Sequence, residues 1–135
     1  MRLGPFEILA IETGTFRLDG GAMFGVVPKV LWSKTNPADE NNRISMAMRA
    51  MLVDGNGHRL LVDSGAGTKL DDKMLRNYVI ETPGLVRALE SSGIDPASVT
   101  DAVATHLHFD HAGGYTCSDG ADGLKLALPE AIHHI

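Results

Sequence analysis

The amino-acid sequence predicts a layered α/β fold, in which strands and helices follow one another along one chain. Two segments of the first half have the β-branched and apolar content of strands. A tight turn joins the second of them to a further predicted strand. Helical periodicity replaces this pattern between residues 68 and 93, and short apolar strands return after residue 100. An order of strands, helix, strand, loop and strand is typical of a sheet layered with helices.

The first half of the chain contains the clearest strand signals. Phe6 to Leu18 combines apolar and β-branched side chains and predicts one or two strands. Arg43 to Asp54 and His58 to Gly65 predict a strand pair, because Gly55-Asn56-Gly57 can supply the positive φ angles of a tight hairpin turn. Residues 19–32 mix glycine with apolar residues, which is an unusual composition for a loop that only contacts solvent.

Helix signals follow in the second half, and the chain then returns to strands. Residues 68–80 mix charged and apolar side chains at helical spacing, and residues 84–93 have an apolar helical face that ends at Gly93. Asp95-Pro96 predicts one short helical turn. The remaining predicted elements are a strand over Asp101–Thr105, a turn over 118–123, a strand over 124–128 and an apolar strand after Pro129.

Composition limits the classes of function. With 135 residues, 44% of them hydrophobic and 21% charged, the chain has the size and composition of one globular domain. A net charge of −5 without a basic run argues against nucleic-acid binding, and no apolar stretch approaches the length of a membrane span. The single cysteine, Cys117, excludes an internal disulfide, and no signal-peptide pattern is visible, so we expect a cytoplasmic protein.

Half of the six histidines lie in one short segment, THLHFDHAGG, at residues 105–114. His106 and His108 follow a predicted strand and are two residues apart, so their side chains point the same way if the chain stays extended. Two converging imidazoles make a good half-site for zinc. Asp110 and His111 offer a carboxylate and an imidazole to a second point nearby. The segment therefore predicts ligands for two adjacent metal ions.

This segment resembles the His-x-His-x-Asp-His signature of the metallo-β-lactamase superfamily. With Leu107 and Phe109 in its variable positions, it is similar to the lactonase-like branch of that superfamily. The earlier segment LLVDSG, at residues 60–65, resembles the superfamily's strand that ends in aspartate and glycine. GAMFGVVPKVLW, at residues 21–32, fits the same branch.

The resemblance implies a role for each matching residue. His106 and His108 would bind the first metal ion, and Asp110 and His111 the second, with zinc in both positions and iron or manganese as alternatives. Asp63 would orient a histidine or the backbone near the site. The implied reaction is hydrolysis of a lactone or other ester by a metal-activated hydroxide, with Asp110 carrying a proton to the leaving group.

The same resemblance implies a substrate-binding loop and a larger fold. Met23 and Phe24 would line the pocket for a small-molecule ester or lactone, although ordinary packing against the sheet explains them equally well. The implied fold is the N-terminal half of an αβ/βα sandwich, whose mixed, mainly antiparallel sheet carries helices on one face. Residues 1–135 would then form a single incomplete domain without the C-terminal half, and His133 and His134 are weak candidates to replace its missing ligands.

Alternatives to an active hydrolase stay open at this point. The chain could be a non-catalytic half-domain that needs a partner, either the C-terminal half or a second copy in a homodimer. It could also be an iron-dependent oxidoreductase of the same superfamily. Two groups of residues have structural interpretations: Gly113 and Gly114 would let the backbone turn sharply beneath the site, and Met46, Met48 and Met51 would serve the strand rather than a metal.

Overall fold

The computed structural model describes residues 1–121 and 123–135 of the chain. Its strands are β1 (Arg2–Leu3), β2 (Phe6–Asp19), β3 (Arg43–Gly55), β4 (His58–Val62), β5 (Asp101–Val103), β6 (Thr116–Ser118), β7 (Leu124–Leu126) and β8 (Ile132–His134). Its α-helices are α1 (Gly20–Phe24), α2 (Lys29–Trp32), α3 (Asp72–Tyr78), α4 (Leu85–Ser91) and α5 (Phe109–Ala112), and 3₁₀ turns cover Pro96–Ser98 and Gly113–Tyr115.

One six-stranded sheet, in the order β1-β2-β3-β4-β5-β8, organises the fold. Strands β1 to β4 are antiparallel neighbours, whereas β5 runs parallel to β4 and β8 runs parallel to β5. Strands β6 and β7 form a separate antiparallel pair. The prediction of a mixed, mainly antiparallel sheet is therefore confirmed. Because β4 and β5 are parallel neighbours, the loops that follow them leave the sheet at the same edge.

Helix α4 packs on one face of this sheet, as predicted. Its side chains Leu85 and Leu89 are buried against Ile11 of β2 and Leu52 of β3. Burying a side chain of this size stabilises the fold by roughly 1.5–3 kcal/mol, so this layer is a principal source of stability. Among the described residues, no helix combines the length and hydropathy needed to cross a membrane.

A second buried cluster, around Phe16 and Met48, lies nearer the histidine segment. Met46 packs partly buried against this cluster, whereas Met51 faces the other side of the sheet and is exposed. The interpretation of these methionines as strand residues therefore agrees with the structure. Phe109, from the histidine segment itself, also packs against the cluster and links the core to the candidate site.

Most predicted elements are present, with shifted ends. The predicted helix over 68–80 is shorter because it begins only after Asp71, whose carboxylate accepts a hydrogen bond from the Met74 backbone N–H at 2.7 Å. Strand β5 ends at Val103 rather than Thr105, because the Thr105 N–H donates to the Asp63 side chain instead of to a strand. The predicted turn over 118–123 includes residue 122, which lies outside the described residues.

The glycine-rich segment between β2 and β3 contains two short helices that the sequence did not predict. The Asp19 carboxylate caps α1 by accepting a hydrogen bond from the Ala22 N–H at 2.8 Å. Trp32, at the end of α2, is buried against Gly20, where a Cβ would lie 2.5 Å from the indole ring. The close approach of the ring therefore requires glycine at this position.

Candidate metal centre

The two sequence motifs meet where β4 and β5 end. The Asp63 N–H donates to the Val103 carbonyl at 2.9 Å, which continues the parallel pairing by one residue. The Ser64 N–H then donates to the His111 carbonyl at 2.7 Å. The aspartate loop after β4 is thus bonded to the histidine segment after β5, as the parallel pairing of the two strands allows.

The structure brings the three histidines of the segment together. The ring centroids of His106 and His111 are 4.0 Å apart, and those of His106 and His108 are 4.6 Å apart. The His106 Nε2 and His108 Nδ1 atoms face each other at 3.1 Å. The His111 Nε2 atom lies 3.4 Å from Asp110 Oδ2. The four candidate ligands therefore lie close together, and their binding of two metal ions stays a prediction.

Asp63 is the buried acceptor behind this cluster. Its Oδ1 accepts hydrogen bonds from the Thr105 N–H at 2.9 Å and its Oδ2 accepts one from His111 Nδ1 at 2.8 Å. Its backbone is left-handed, with φ of 62°, which is uncommon for a residue other than glycine. Burial raises the pKa of this carboxyl, but the hydrogen bonds from His111 and Thr105 outweigh that effect and hold its pKa below the ordinary value. Asp63 is therefore a carboxylate at neutral pH.

The Asp63 carboxylate determines which ring nitrogen of His111 is available. An ionised carboxylate only accepts hydrogen bonds, so Nδ1 of a neutral His111 ring carries the proton and Nε2 keeps its lone pair. That lone pair faces the carboxylate oxygen of Asp110 at 3.4 Å. When the His111 ring is neutral, no proton lies between its Nε2 and the Asp110 oxygen. Two electron-rich atoms held this close favour a cation between them.

The spacing within the two pairs fits zinc. Two nitrogens bound at about 2.0–2.1 Å to a tetrahedral zinc ion lie roughly 3.3 Å apart. The observed separations of 3.1 Å for His106 with His108 and 3.4 Å for His111 with Asp110 are close to that value. Within residues 1–121 and 123–135, however, no three His, Cys, Asp or Glu side chains form a group that could hold a metal ion. The pairs fit as half-sites, and each would need further donors.

Glycine packing joins the two loops beneath the cluster. A Cβ on Gly114 would lie 2.2 Å from the Ser64 carbonyl oxygen, and one on Gly113 would lie 2.4 Å from the Ala66 carbonyl oxygen. The backbone does turn here, in the 3₁₀ turn Gly113–Tyr115, but neither glycine has a positive φ, so the conformation of the turn does not itself require glycine. They are needed because the two backbones are in contact, and the buried Ser64 hydroxyl adds a 2.8 Å hydrogen bond to the His111 carbonyl.

Aromatic packing fixes the segment from the other side. Phe109, between the candidate ligands, packs edge-on to Phe16 of β2 with ring centroids 5.9 Å apart, and stacks on Tyr78 of α3 at 5.2 Å. These pairs are each worth about 0.5–1.5 kcal/mol beyond the area they bury. A cavity of about 270 Å³ adjoins this point, and it is lined by Phe16, Met46, Ala47, Met48, Arg49, Asp110 and His111.

Other predicted site residues lie elsewhere. Phe24 stacks on Trp32, with ring centroids 5.1 Å apart, and Met23 is exposed; neither borders the cavity beside Asp110. His133 packs against the Tyr115 ring, and His134 Nε2 lies 3.0 Å from Asp101 Oδ1, so these two histidines do not supply ligands to the cluster.

Sequence reasoning missed three residues that support the cluster: Thr105, Ser64 and Phe16. Each contacts a partner at least 40 residues away in the sequence, because Asp63 is 42 residues from Thr105, and Ser64 is 47 residues from His111. For Phe16, the partner is Phe109. Only Thr105 and Ser64 could have been found from the local sequence. Each carries a hydroxyl that can hydrogen bond, and each is adjacent to a motif residue.

Comparison with known proteins identifies the family that the two motifs resemble. The sequence profile of the metallo-β-lactamase superfamily matches residues 49–115, which contain both motifs. A probable metal-dependent hydrolase from Staphylococcus aureus is 36% identical, with a TM-score of 0.87 over 98% of this chain and 47% of its own. The chain belongs to the metallo-β-lactamase superfamily. The resemblance recognised in the two motifs is thereby confirmed.

More distant members of the superfamily share the fold. AidC, a dizinc quorum-quenching lactonase in complex with a product, aligns with a TM-score of 0.73 and 23% identity over 98% of this chain and 42% of its own. The hydrolase AbOPH aligns with a TM-score of 0.73 and 25% identity over 98% and 42%. The chain thus spans about half the length of these relatives. A search of curated proteins gave no match.

Proposed function

We propose that this chain contributes half of the catalytic site of a metal-dependent hydrolase whose substrate is a small lactone or another ester. The observation that carries the proposal is the placement of His111, whose Nε2 lies 3.4 Å from Asp110 Oδ2 while its Nδ1 lies 2.8 Å from Asp63 Oδ2. Membership of a hydrolase superfamily and a dizinc lactonase among its structural neighbours support it.

Zinc is the proposed metal, with one ion between His106 and His108 and one between Asp110 and His111. Held by these residues, zinc would supply an activated water and would polarise a substrate carbonyl. Asp110 has a further role in the proposal: its side chain is mostly buried beside the cavity, where it can take a proton and pass it to the leaving group. Asp63 is proposed to orient His111 through their 2.8 Å hydrogen bond.

The cavity supports a substrate with an apolar part. Phe16, Met46 and Met48 supply apolar walls next to Asp110 and His111. An ester or lactone places a carbonyl beside a hydrocarbon chain, which matches a polar cluster that borders an apolar wall. AidC, which has a bound lactonase product, is consistent with this substrate class. Met23 and Phe24 remain proposed contacts for the distal part of a substrate, because their helix α1 directly follows strand β2, whose Phe16 lines the cavity.

Zinc titration of the chain tests the proposal. We expect zinc to bind the wild-type chain, and we expect the double variant His106→Ala/His111→Ala, which removes one ligand from each pair, to lose that binding. His58→Ala is the matched control, because His58 is a mostly exposed histidine outside the cluster. Isothermal titration and metal analysis provide the measurements. Equal zinc binding by the double variant and the wild type would refute the proposed site.

Activity is a separate measurement. A small lactone and an open-chain ester should be assayed with the zinc-loaded chain, alone and after addition of the C-terminal half of the Staphylococcus aureus relative. We expect hydrolysis with the added half to be faster than with either half alone, because each pair needs further donors. Zinc binding without hydrolysis in any mixture would remove the catalytic part of the proposal.

A further inference from the structure

Thr105 lies between the buried carboxylate and the first histidine of the cluster. Its hydroxyl oxygen is 2.9 Å from Asp63 Oδ1 and 3.0 Å from Asp63 Oδ2. The same oxygen is 3.1 Å from His106 Nδ1. The Thr105 N–H also donates to Asp63 Oδ1 at 2.9 Å, so the backbone of this residue is anchored independently of its hydroxyl.

The single hydroxyl proton of Thr105 can serve only one of these neighbours. Asp63 already accepts hydrogen bonds from the Thr105 N–H at 2.9 Å and from His111 Nδ1 at 2.8 Å, as a carboxylate does, and hydrogen bonds to charged acceptors are about twice as strong as those between neutral groups. The proton therefore points to Asp63. The Thr105 oxygen then presents lone pairs to His106, so His106 Nδ1 must carry the proton of a neutral ring.

This arrangement leaves the opposite ring nitrogen of a neutral His106 unprotonated, with its lone pair directed outward from Thr105. That atom, Nε2, is the one that faces His108 Nδ1 at 3.1 Å. Asp63 holds His111 in the same tautomer by direct contact. One carboxylate thus acts on two histidines, on His111 directly and on His106 through a hydroxyl.

We propose that Thr105 is a positioning residue, whose hydroxyl holds His106 in the tautomer with a proton on Nδ1 and keeps Nε2 available to bind a metal. The inference rests on the proposed function for the identity of the ligand, although the tautomer itself is a property of the metal-free chain. A hydrogen-bond partner of this kind commonly changes metal affinity by about 10- to 100-fold.

Thr105→Val tests the hydroxyl alone. Valine has nearly the same shape and keeps the N–H that donates to Asp63, so the strand end stays anchored. Thr105→Ser is the matched control, because it restores the hydroxyl. The first measurement is the long-range ¹H–¹⁵N correlation spectrum of the histidine rings in the metal-free chain, near pH 8. The second is zinc affinity by competition with a chromogenic chelator.

We expect His106 to be protonated on Nδ1 in the wild type and in Thr105→Ser, and to gain protonation on Nε2 in Thr105→Val. Zinc affinity should fall about 10- to 100-fold in Thr105→Val and recover in Thr105→Ser. A wild-type His106 protonated on Nε2, or a valine variant with the wild-type tautomer, overturns the inference. If the wild type bound no zinc, the proposed function would fail while the spectrum would still decide the role of Thr105. The wild-type spectrum decides it even if the valine variant does not fold.

Discussion

Gly114→Ala is the substitution whose effect the structure defines most directly. The new Cβ would lie 2.2 Å from the Ser64 carbonyl oxygen and 3.0 Å from the Ser64 carbonyl carbon. An ordinary contact needs a separation of roughly 3.3 Å, so one backbone must move by about 1 Å. Ser64 is fully buried, and its surroundings leave little room for that movement.

The magnitude follows from the hydrogen bonds that such a shift would disturb. The Ser64 N–H and hydroxyl both donate to the His111 carbonyl, at 2.7 and 2.8 Å, and the Gly114 N–H donates to the Ser64 hydroxyl at 3.0 Å. Losing two or three such bonds costs about 1 kcal/mol each, and the steric overlap adds roughly 1–3 kcal/mol. We expect the free energy of unfolding to fall by about 3–6 kcal/mol, a large part of the total for a domain of this size.

Urea unfolding, followed by the fluorescence of the buried Trp32, measures this change. Gly21→Ala is the matched control, because Gly21 also lacks a positive φ and its nearest heavy atom is the carboxylate oxygen of Asp19, at 3.0 Å. That oxygen caps helix α1, but it need shift by only a few tenths of an ångström and can keep its hydrogen bond from the Ala22 N–H. Alanine is also favoured over glycine within helix α1, so the control should change stability by less than about 1 kcal/mol. If the two variants had the same stability, close backbone packing beneath the cluster would not be what these glycines provide.

Two further substitutions test the surroundings of the site, and a third tests the ion pair between Asp39 and Arg43. Asp63→Asn should keep the fold, because asparagine tolerates φ of 62°. It should lower zinc affinity about 10- to 100-fold, because the new amide presents an N–H to His111. Asp54→Asn is the control, at a carboxylate bonded to Arg59, and should leave zinc affinity unchanged. Phe109→Ala removes both aromatic pairs, so urea unfolding should show a loss of about 2–3 kcal/mol, and unchanged stability would contradict the packing argument. Hydrogen bonds from Arg43 lower the pKa of Asp39 from 3.8 to about 2, so its stabilisation is complete above about pH 5 and is lost as the pH falls through about 2. Asp39→Asn should flatten stability over that range, and a persistent acid dependence would exclude Asp39 as its source.

The sequence predicted the candidate ligands because they are adjacent in the chain. His106, His108, Asp110 and His111 lie within six positions, and the structure places them close together. Asp63 was also predicted, on the strength of its motif, and its hydrogen bond to His111 agrees with an orienting residue. These inferences needed only local spacing and the chemistry of the side chains.

The remaining features depend on contacts that no local pattern encodes. Gly113 and Gly114 were expected to serve a turn, whereas they are required by a second backbone about 50 residues earlier. Threonine is an ordinary residue at the end of a strand, and the role of Thr105 is visible only from its hydrogen bond to Asp63. The two helices between β2 and β3 depend on the packing of the Trp32 ring against Gly20. These two residues are twelve positions apart in the sequence.

The sequence separation of the bonds around the cluster connects ligand binding to the folding of the whole chain. Asp63 is 42 residues from Thr105 and 48 from His111, and Ser64 is 50 residues from Gly114. The candidate ligands themselves lie within six positions, so an unfolded chain can also bind zinc, and only the additional affinity that these long-range contacts give the folded chain stabilises the fold. By mass action, a ligand present at 100 times its dissociation constant would then stabilise the entire fold by at most about 2.7 kcal/mol. A rise in melting temperature on addition of zinc would therefore report the cluster and both strands that support it as one cooperative unit.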